Sequence, residues 1–306
     1  MIVMLAGGIG AAKLISGFYL GNLGGRLTVI GNTGDDLKFL GLRVCPDLDT
    51  IIYTLSGKVD PKQGWGLEGD SFSTLAALKI LGAQNWFRLG DRDLATHVWR
   101  SSLLAEGVTL TEVTRRMCQV FGVECCLLPM TDAYVPTEIV TETGILHLQE
   151  YLVRDRCRPK IYQIRYSEIE ESIPAIGVEK AIRKASAVIL CPSNPFISIG
   201  PILAVPGIRD CLRDGDAPVV AVSPIVAGTA LKGPAAKMLE QLGYAVSPTS
   251  IAKLYSDFLD MFVLDERDEI LRTEIEDMGI KVQVLNTVMQ TTRDKVALAR
   301  GILESL

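Results

Sequence analysis

The sequence predicts a Rossmann-like α/β fold: a doubly wound, mostly parallel sheet carrying a largely helical insertion. Three observations carry this prediction. Short apolar runs without alternation recur at residues 2–6, 187–191, 218–222 and 261–264, as strands buried on both faces of a parallel sheet read. Helix-forming stretches alternate with them. The first run ends in a glycine turn, Gly7-Gly8-Ile9-Gly10, that leads straight into a helix-forming stretch.

Taken in order, residues 2–6, the turn, residues 11–16 and a second buried strand from Arg26 to Gly31 read as a β-α-β opening. Residues 47–56, 70–82, 91–105 and 109–121 read as helices, the last opened by the capping box Thr109-Leu-Thr-Glu112. The span of about 45–121 is therefore expected to be a helical insertion between strands. A small hairpin region is expected at about 137–165: residues 137–149 alternate around Gly144, and 161–165 form a further strand. After it come a helix at 179–185, strands at 187–191 and 218–222, a helix at 233–242, strands at 261–264 and 281–285, and a closing helix at 292–306. Neither a Gly-, Ser- or Pro-rich linker nor an internal repeat divides the chain, so residues 1–306 are expected to form a single domain.

Composition narrows the function. The 306 residues carry 31 Lys plus Arg, 36 Asp plus Glu and a net charge of −5, with 48% hydrophobic residues. That is ordinary globular chemistry, and it argues against a nucleic-acid binder. The seven cysteines form no Cys-x-x-Cys pair, and the two histidines no His-x-x-x-His pair, so a disulfide framework, a zinc ribbon and a His-rich metal centre are excluded. The chain opens on an apolar strand rather than a basic leader, and no apolar run reaches the ~20 residues that span a bilayer. The expectation is a cytoplasmic protein without membrane partners.

The candidate chemistry gathers at the carboxyl ends of the strands, where open α/β sheets bind ligands. Gly7, Gly8 and Gly10 open a helix whose free N–H groups favour a phosphate, with Lys13 within reach of one. The turn lacks the third Gly of a dinucleotide fingerprint and the Gly-Lys-Ser/Thr end of a P-loop. The second strand ends in Asn32-Thr-Gly-Asp35-Asp36, two adjacent acids that magnesium plus substrate phosphates would balance, or that simply form a solvated turn. Asp47 and Asp49 stand at a helix start; Asp47 suits an N-cap, leaving Asp49 for a metal or a hydroxyl proton. Arg88-Leu-Gly-Asp-Arg-Asp93 reads as a capped helix start or as an anion holder, with His97 facing Asp93 one turn on. Ser193 and Asn194 follow one strand, Ser223 the next, and Lys232 stands at a helix start, all in loops across which a base and ribose could lie. At least two of Trp65, Trp86 and Trp99 read as core residues. No nucleophile triad stands out. The residues by themselves point to a nucleotide-phosphate-binding α/β protein.

Together these stretches resemble the 2-phospho-L-lactate transferase family of coenzyme F420 biosynthesis, including its bacterial phosphoenolpyruvate-type members. The resemblance rests on Gly7–Gly10, Asn32–Asp36, Cys45–Thr50, Leu89–Asp93 with Ala95–His97, Leu128–Asp132, Pro192–Pro195 with Ser198–Pro201, and Ser223–Ile225. The Pro-Asp-Leu-Asp-Thr and Ser-Asn-Pro…Ile-Gly-Pro blocks are its specific parts. Ile9 and Ala11 depart from it, offering no hydroxyl to phosphate. The resemblance implies a Mg²⁺-dependent homodimer. It would move a phospholactyl or phosphoenolpyruvyl group from a guanosine diphosphate-linked donor to the ribityl hydroxyl of 7,8-didemethyl-8-hydroxy-5-deazariboflavin, releasing GMP. It further implies Asp36 and Asp49 as metal ligands with Asp35 as an alternate. Asp49 and Arg88 would bind the deazaflavin, Asp49 would act on the hydroxyl, and Ser193 and Asn194 would contact guanosine. Two other readings stand beside it: a non-catalytic nucleotide-sugar-binding regulator on the same fold, and a nicotinamide dehydrogenase.

Overall fold

The computed structural model describes residues 1–22, 27–230 and 233–306. Arg26 and Lys232, both used in the sequence reading, lie outside the described residues.

The chain opens as expected with β1 (Ile2–Ala6), α1 (Gly8–Leu20) and β2 (Leu27–Gly31). A hairpin of β3 (Leu37–Phe39) and β4 (Leu42–Val44) follows, which the sequence pattern does not reveal. Its strands are too short for alternation to register, and its turn is marked only by Gly41. The insertion comprises α2 (Pro46–Leu55), α3 (Ser73–Ile80), α4 (Asp91–Ala105) and α5 (Leu110–Phe121), the four expected helices. Then come β5 (Cys126–Pro129), a hairpin of β6 (Thr137–Thr141) and β7 (Gly144–His147), and β8 (Ile161–Tyr166). The rest alternates: α6 (Val178–Arg183), β9 (Ala187–Leu190), α7 (Gly200–Ala204), α8 (Ile208–Arg213) and β10 (Val219–Val222). The short β11 (Ile225–Val226) and β12 (Thr229–Ala230), α9 (Ala235–Gln241), α10 (Pro248–Leu254) and β13 (Met261–Asp265) follow. The described chain closes with α11 (Arg272–Glu276), β14 (Lys281–Leu285) and α12 (Thr292–Glu304).

Seven strands form one parallel sheet in the order β14-β13-β10-β9-β1-β2-β5. The apolar runs are continuous because both faces are covered. In β1, Val3 and Leu5 enter one core with Leu190 and Phe262, while Met4 and Ala6 enter the other with Ile189 and Val263. From β1 the chain runs outward to β2 and β5 on one side and to β9 and beyond on the other. The carboxyl ends of β1 and β9 therefore flank the switch-point crevice. Beside it, the three-stranded sheet β7-β6-β8 buttresses the loop after β2. Thr137 N donates to Gly34 O at 2.8 Å, and His147 Nε2 meets Asp36 O at 3.0 Å.

Candidate active site

The glycine turn lies in the crevice, and its glycines are needed for different reasons. Gly8 has φ +75°, a backbone that side chains rarely adopt. A Cβ on Gly7 would stand 2.7 Å from Asp47 Oδ2, and one on Gly10 2.5 Å from Pro192 O. Ser193 Oγ donates to Gly7 O at 2.8 Å, stitching the loop after β9 to the loop after β1. At the amino end of α1, where a phosphate is expected, Gly8 N–H donates to Asp47 Oδ1 at 2.7 Å.

Asn32, fully buried at the end of β2, organises the acids. Its Nδ2 donates to Asp35 Oδ1 at 3.0 Å, Asp47 Oδ2 at 2.8 Å and Ile197 O at 3.0 Å, and its Oδ1 accepts from Gly34 N at 2.8 Å. Two buried carboxylates thus converge on one amide nitrogen. Among the described residues neither has a Lys or Arg partner. Burial, and then the charge of Asp47, hold the Asp35 carboxyl well above the usual carboxylate range. Burial pushes Asp47 up to about 6 against the hydrogen bonds from Asn32 and Gly8. Asp36 turns the other way. Its Oδ2 accepts from Arg43 Nε at 2.9 Å and Cys45 Sγ at 3.0 Å, while its buried Oδ1 has no partner. Burial raises Asp36 too, with Arg43 pulling it back.

Asp49 belongs to a second buried cluster. Both its carboxylate oxygens are held by Arg100, Oδ2 at 3.1 Å from Nη1 and Oδ1 by Nη2. Arg100 Nη1 also lies 3.3 Å from His97 Nδ1, and His97 Nε2 lies 3.5 Å from Asp93 Oδ1, which accepts from Tyr53 Oη at 2.8 Å. Asp49, Asp93 and His97 form the only group of three potential metal ligands found among the described residues. The cation already there is the Arg100 guanidinium.

The other sequence-predicted residues are placed as follows. Lys13 Nζ donates to Met289 O at 2.9 Å. Asn194 Oδ1 caps the following turn through Phe196 N and Ile197 N, and its Nδ2 faces Met238 Sδ. Ser223 Oγ donates to Ile225 O. Arg88 is exposed, its guanidinium 4.2 Å from the Phe72 ring.

Two expectations, on Asp47 and on the tryptophans, need correction. Asp47 is not an N-cap. Pro46 takes the first helical position, Cys45 is the cap residue, and both acids lie in the first turn of α2. The helix starts of α3 and α4 are capped across each other: Asp70 accepts from Arg92 N and Asp93 N, and Asp91 accepts from Ser73 N and Thr74 N. Trp65 and Trp99 are 36% and 38% exposed, so two of the three tryptophans are not core residues. Sequence reasoning also missed Arg100. Its signal was the spacing Asp93, His97, Arg100, which puts the three on one helix face.

A family profile described as "2-phospho-L-lactate transferase CofD" matches residues 2–298. The chain belongs to this family. A 2-phospho-L-lactate transferase of Methanosarcina mazei is 37% identical over 304 residues, covering 99% of this chain and 100% of the relative. A phosphoenolpyruvate transferase of Streptomyces griseus is 40% identical over 309 residues, covering 99% and 97%. A solved UPF0052-family structure from Bacillus halodurans shares the fold, with a TM-score of 0.63 at 16% identity, covering 99% of this chain and 98% of that one.

As a member of the 2-phospho-L-lactate transferase family, the protein is an enzyme of the transferase class. Its acids fit a divalent cation on their own chemistry. Asp35 and Asp47 are hard oxygen donors that converge, among the described residues, without a positive partner. No helix among the described residues is long and apolar enough to cross a membrane.

Proposed function

We propose that the protein carries a phospholactyl or phosphoenolpyruvyl group from a guanosine diphosphate-linked donor to the terminal ribityl hydroxyl of 7,8-didemethyl-8-hydroxy-5-deazariboflavin, in coenzyme F420 biosynthesis. The hydroxyl oxygen forms a bond to the distal phosphorus, the bond to the GMP oxygen breaks, and GMP leaves, the hydroxyl proton passing to the departing phosphate or to water. Such a transfer asks mainly for positioning and charge stabilisation. The observation that carries this reading is the convergence of Asp35 and Asp47 on Asn32, against the Gly8 N–H at the switch point.

Asp35 and Asp47, which converge on Asn32, would hold the magnesium ion. When bound, it would offset negative charge on the diphosphate. The Gly8 N–H, which donates to Asp47 Oδ1 in this structure, is the group that would donate to a donor phosphate oxygen. Asp49 is not carried forward as a metal ligand, because Arg100 holds both its oxygens. Its assigned role is to orient the ribityl hydroxyl, with Arg88 holding the deazaflavin. Both Asp49 oxygens are taken up by Arg100, so orientation is preferred to proton abstraction. Ser193 and Asn194 border the guanosine end.

The test is incubation with the deazaflavin, Mg²⁺ and each guanylylated donor, with products identified by mass. One diester and an equal amount of GMP are expected from at least one donor. Failure with lactate, enolpyruvate and related donors alike would sink the assignment.

A further inference from the structure

Helix α4 buries an unusual set of residues. Of its fifteen residues, only Asp93, His97 and Arg100 are buried. A helix normally docks through an apolar stripe. This one turns an acid, an imidazole and a guanidinium inward, on the single face made by spacings of four and three. Opposite them stand Asp49 and Tyr53 of α2.

We infer that Arg100, backed by His97 and Asp93, is a positioning residue that fixes the Asp49 carboxylate for the acceptor substrate. The inference rests on the acceptor role proposed above for Asp49. Holding α2 to α4 does not call for such a device, since buried ion pairs can generally be replaced by apolar side chains at no loss of stability. What a guanidinium adds is direction: its planar fork grips both carboxylate oxygens and defines the plane of the group. The fork is itself fixed. Arg100 Nη1 reaches Arg43 O at 3.4 Å, and Nη2 reaches Met117 Sδ at 3.3 Å. Arg100 Nη1 can only donate, so His97 Nδ1 accepts from it and the imidazole proton sits on Nε2, 3.5 Å from Asp93 Oδ1. Tyr53 completes the row by donating to that same Asp93 oxygen and lying 3.1 Å from Thr96 Oγ1. The row runs Asp93, His97, Arg100, Asp49, and its last carboxylate keeps 6% exposure.

A double-mutant cycle of Asp49→Asn and Arg100→Lys in the full-length enzyme tests this, with kcat and KM measured for each substrate. Lysine keeps the charge and loses the fork. We expect Arg100→Lys to lower acceptor kcat/KM by on the order of 100-fold, as a small misplacement of a reacting group does. The KM for the donor and the calorimetric Kd for GDP should stay within about twofold. The double variant should be no worse than Asp49→Asn alone, because both act through one carboxylate. Additive losses, or equal losses on donor and acceptor, would overturn the inference. Should Arg100→Lys fail to fold, His97→Gln takes its place in the cycle with the same readouts and an expected loss of about tenfold. A wild-type enzyme that forms no diester takes down the reaction assignment and this inference together. An active wild type with an additive cycle takes down only the inference.

Discussion

Two pairs of buried aspartates illustrate how surroundings, not residue type, decide what a carboxylate does. Asp35 and Asp47 converge on a neutral amide and a backbone N–H, and both carboxyls sit above their usual range. Asp49 and Asp93 lie against Arg100, His97 and Tyr53. There burial works to raise Asp93, but His97, Tyr53 and Arg100 beside it together outweigh burial and the carboxyl ends low. Asp47 and Asp49 are two residues apart on one helix turn. Among the described residues the first pair has no Lys or Arg partner, and it is suited to receive a cation. The second has its cation built in and is suited to hold a direction.

Removing the built-in cation should have the largest effect. Arg100→Met leaves Asp49 buried without its partner, which costs about 3–5 kcal/mol. Denaturant unfolding should show this. Adding Asp49→Leu should recover most of the loss, since no charge is then left unpaired. A double variant as unstable as the single one would mean that packing, not charge, joins α2 to α4.

The Asp35–Asp47 pair should respond to pH in the opposite sense. Asp47 has a folded value of about 6 against 3.8 for the free group, so the folded state holds its proton more tightly. Its contribution to stability is fully present below pH ~4 and is lost as pH rises through about 6, by on the order of 2–3 kcal/mol. Asp93, being low, contributes above its free value and loses that contribution as pH falls. In metal-free buffer, Asp47→Asn should remove the first loss, so the gap between variant and wild type should widen between pH 4.5 and 7. Magnesium should raise the wild-type Tm more at pH 7 than at pH 5, and do little to the variant. A gap that does not change with pH would contradict the picture of Asp47 as an uncompensated acid.

The same contrast explains how much could be read from the sequence. The sheet was legible because strands buried on both faces leave unbroken apolar runs, and the strand-end loops at Gly7, Asn32 and Ser193 followed from it. The β3–β4 hairpin was not, because three residues per strand give no usable period. Asp47 was misread although Pro46 carried the signal: proline at the first helical position pushes the acid past the cap. Arg100 was hidden because a charged residue in mid-helix is by default solvated. Its spacing from Asp93 and His97 was visible, but its burial depends on how α4 meets α2, where its partner Asp49 lies 51 residues away. Local rules located the acids, and only tertiary packing separated the paired from the unpaired.

A smaller effect is expected at the bend between the two pairs. Gly8→Ala meets no steric obstacle but must hold φ +75°, at about 1–2 kcal/mol. Equilibrium unfolding should register that cost. The GDP Kd should rise with it, because the strain falls on the N–H that would face the phosphate.

The smallest change in stability is expected at Arg88, and it completes the comparison from outside the core. Arg88 is exposed, with the Phe72 ring as its partner among the described residues, so Arg88→Ala should cost less than about 1 kcal/mol of stability. If it holds the deazaflavin, losing one charged hydrogen bond should raise the acceptor KM by about tenfold while kcat and the GDP Kd stay put. Arg100 and Arg88 would then divide the work, one setting the direction of Asp49 from within and the other gripping the substrate from outside. An unchanged acceptor KM in Arg88→Ala would remove the second half of that division. Asp49 would then be left without a partner at the acceptor, and the place where the deazaflavin binds would have to be sought on another face of the insertion.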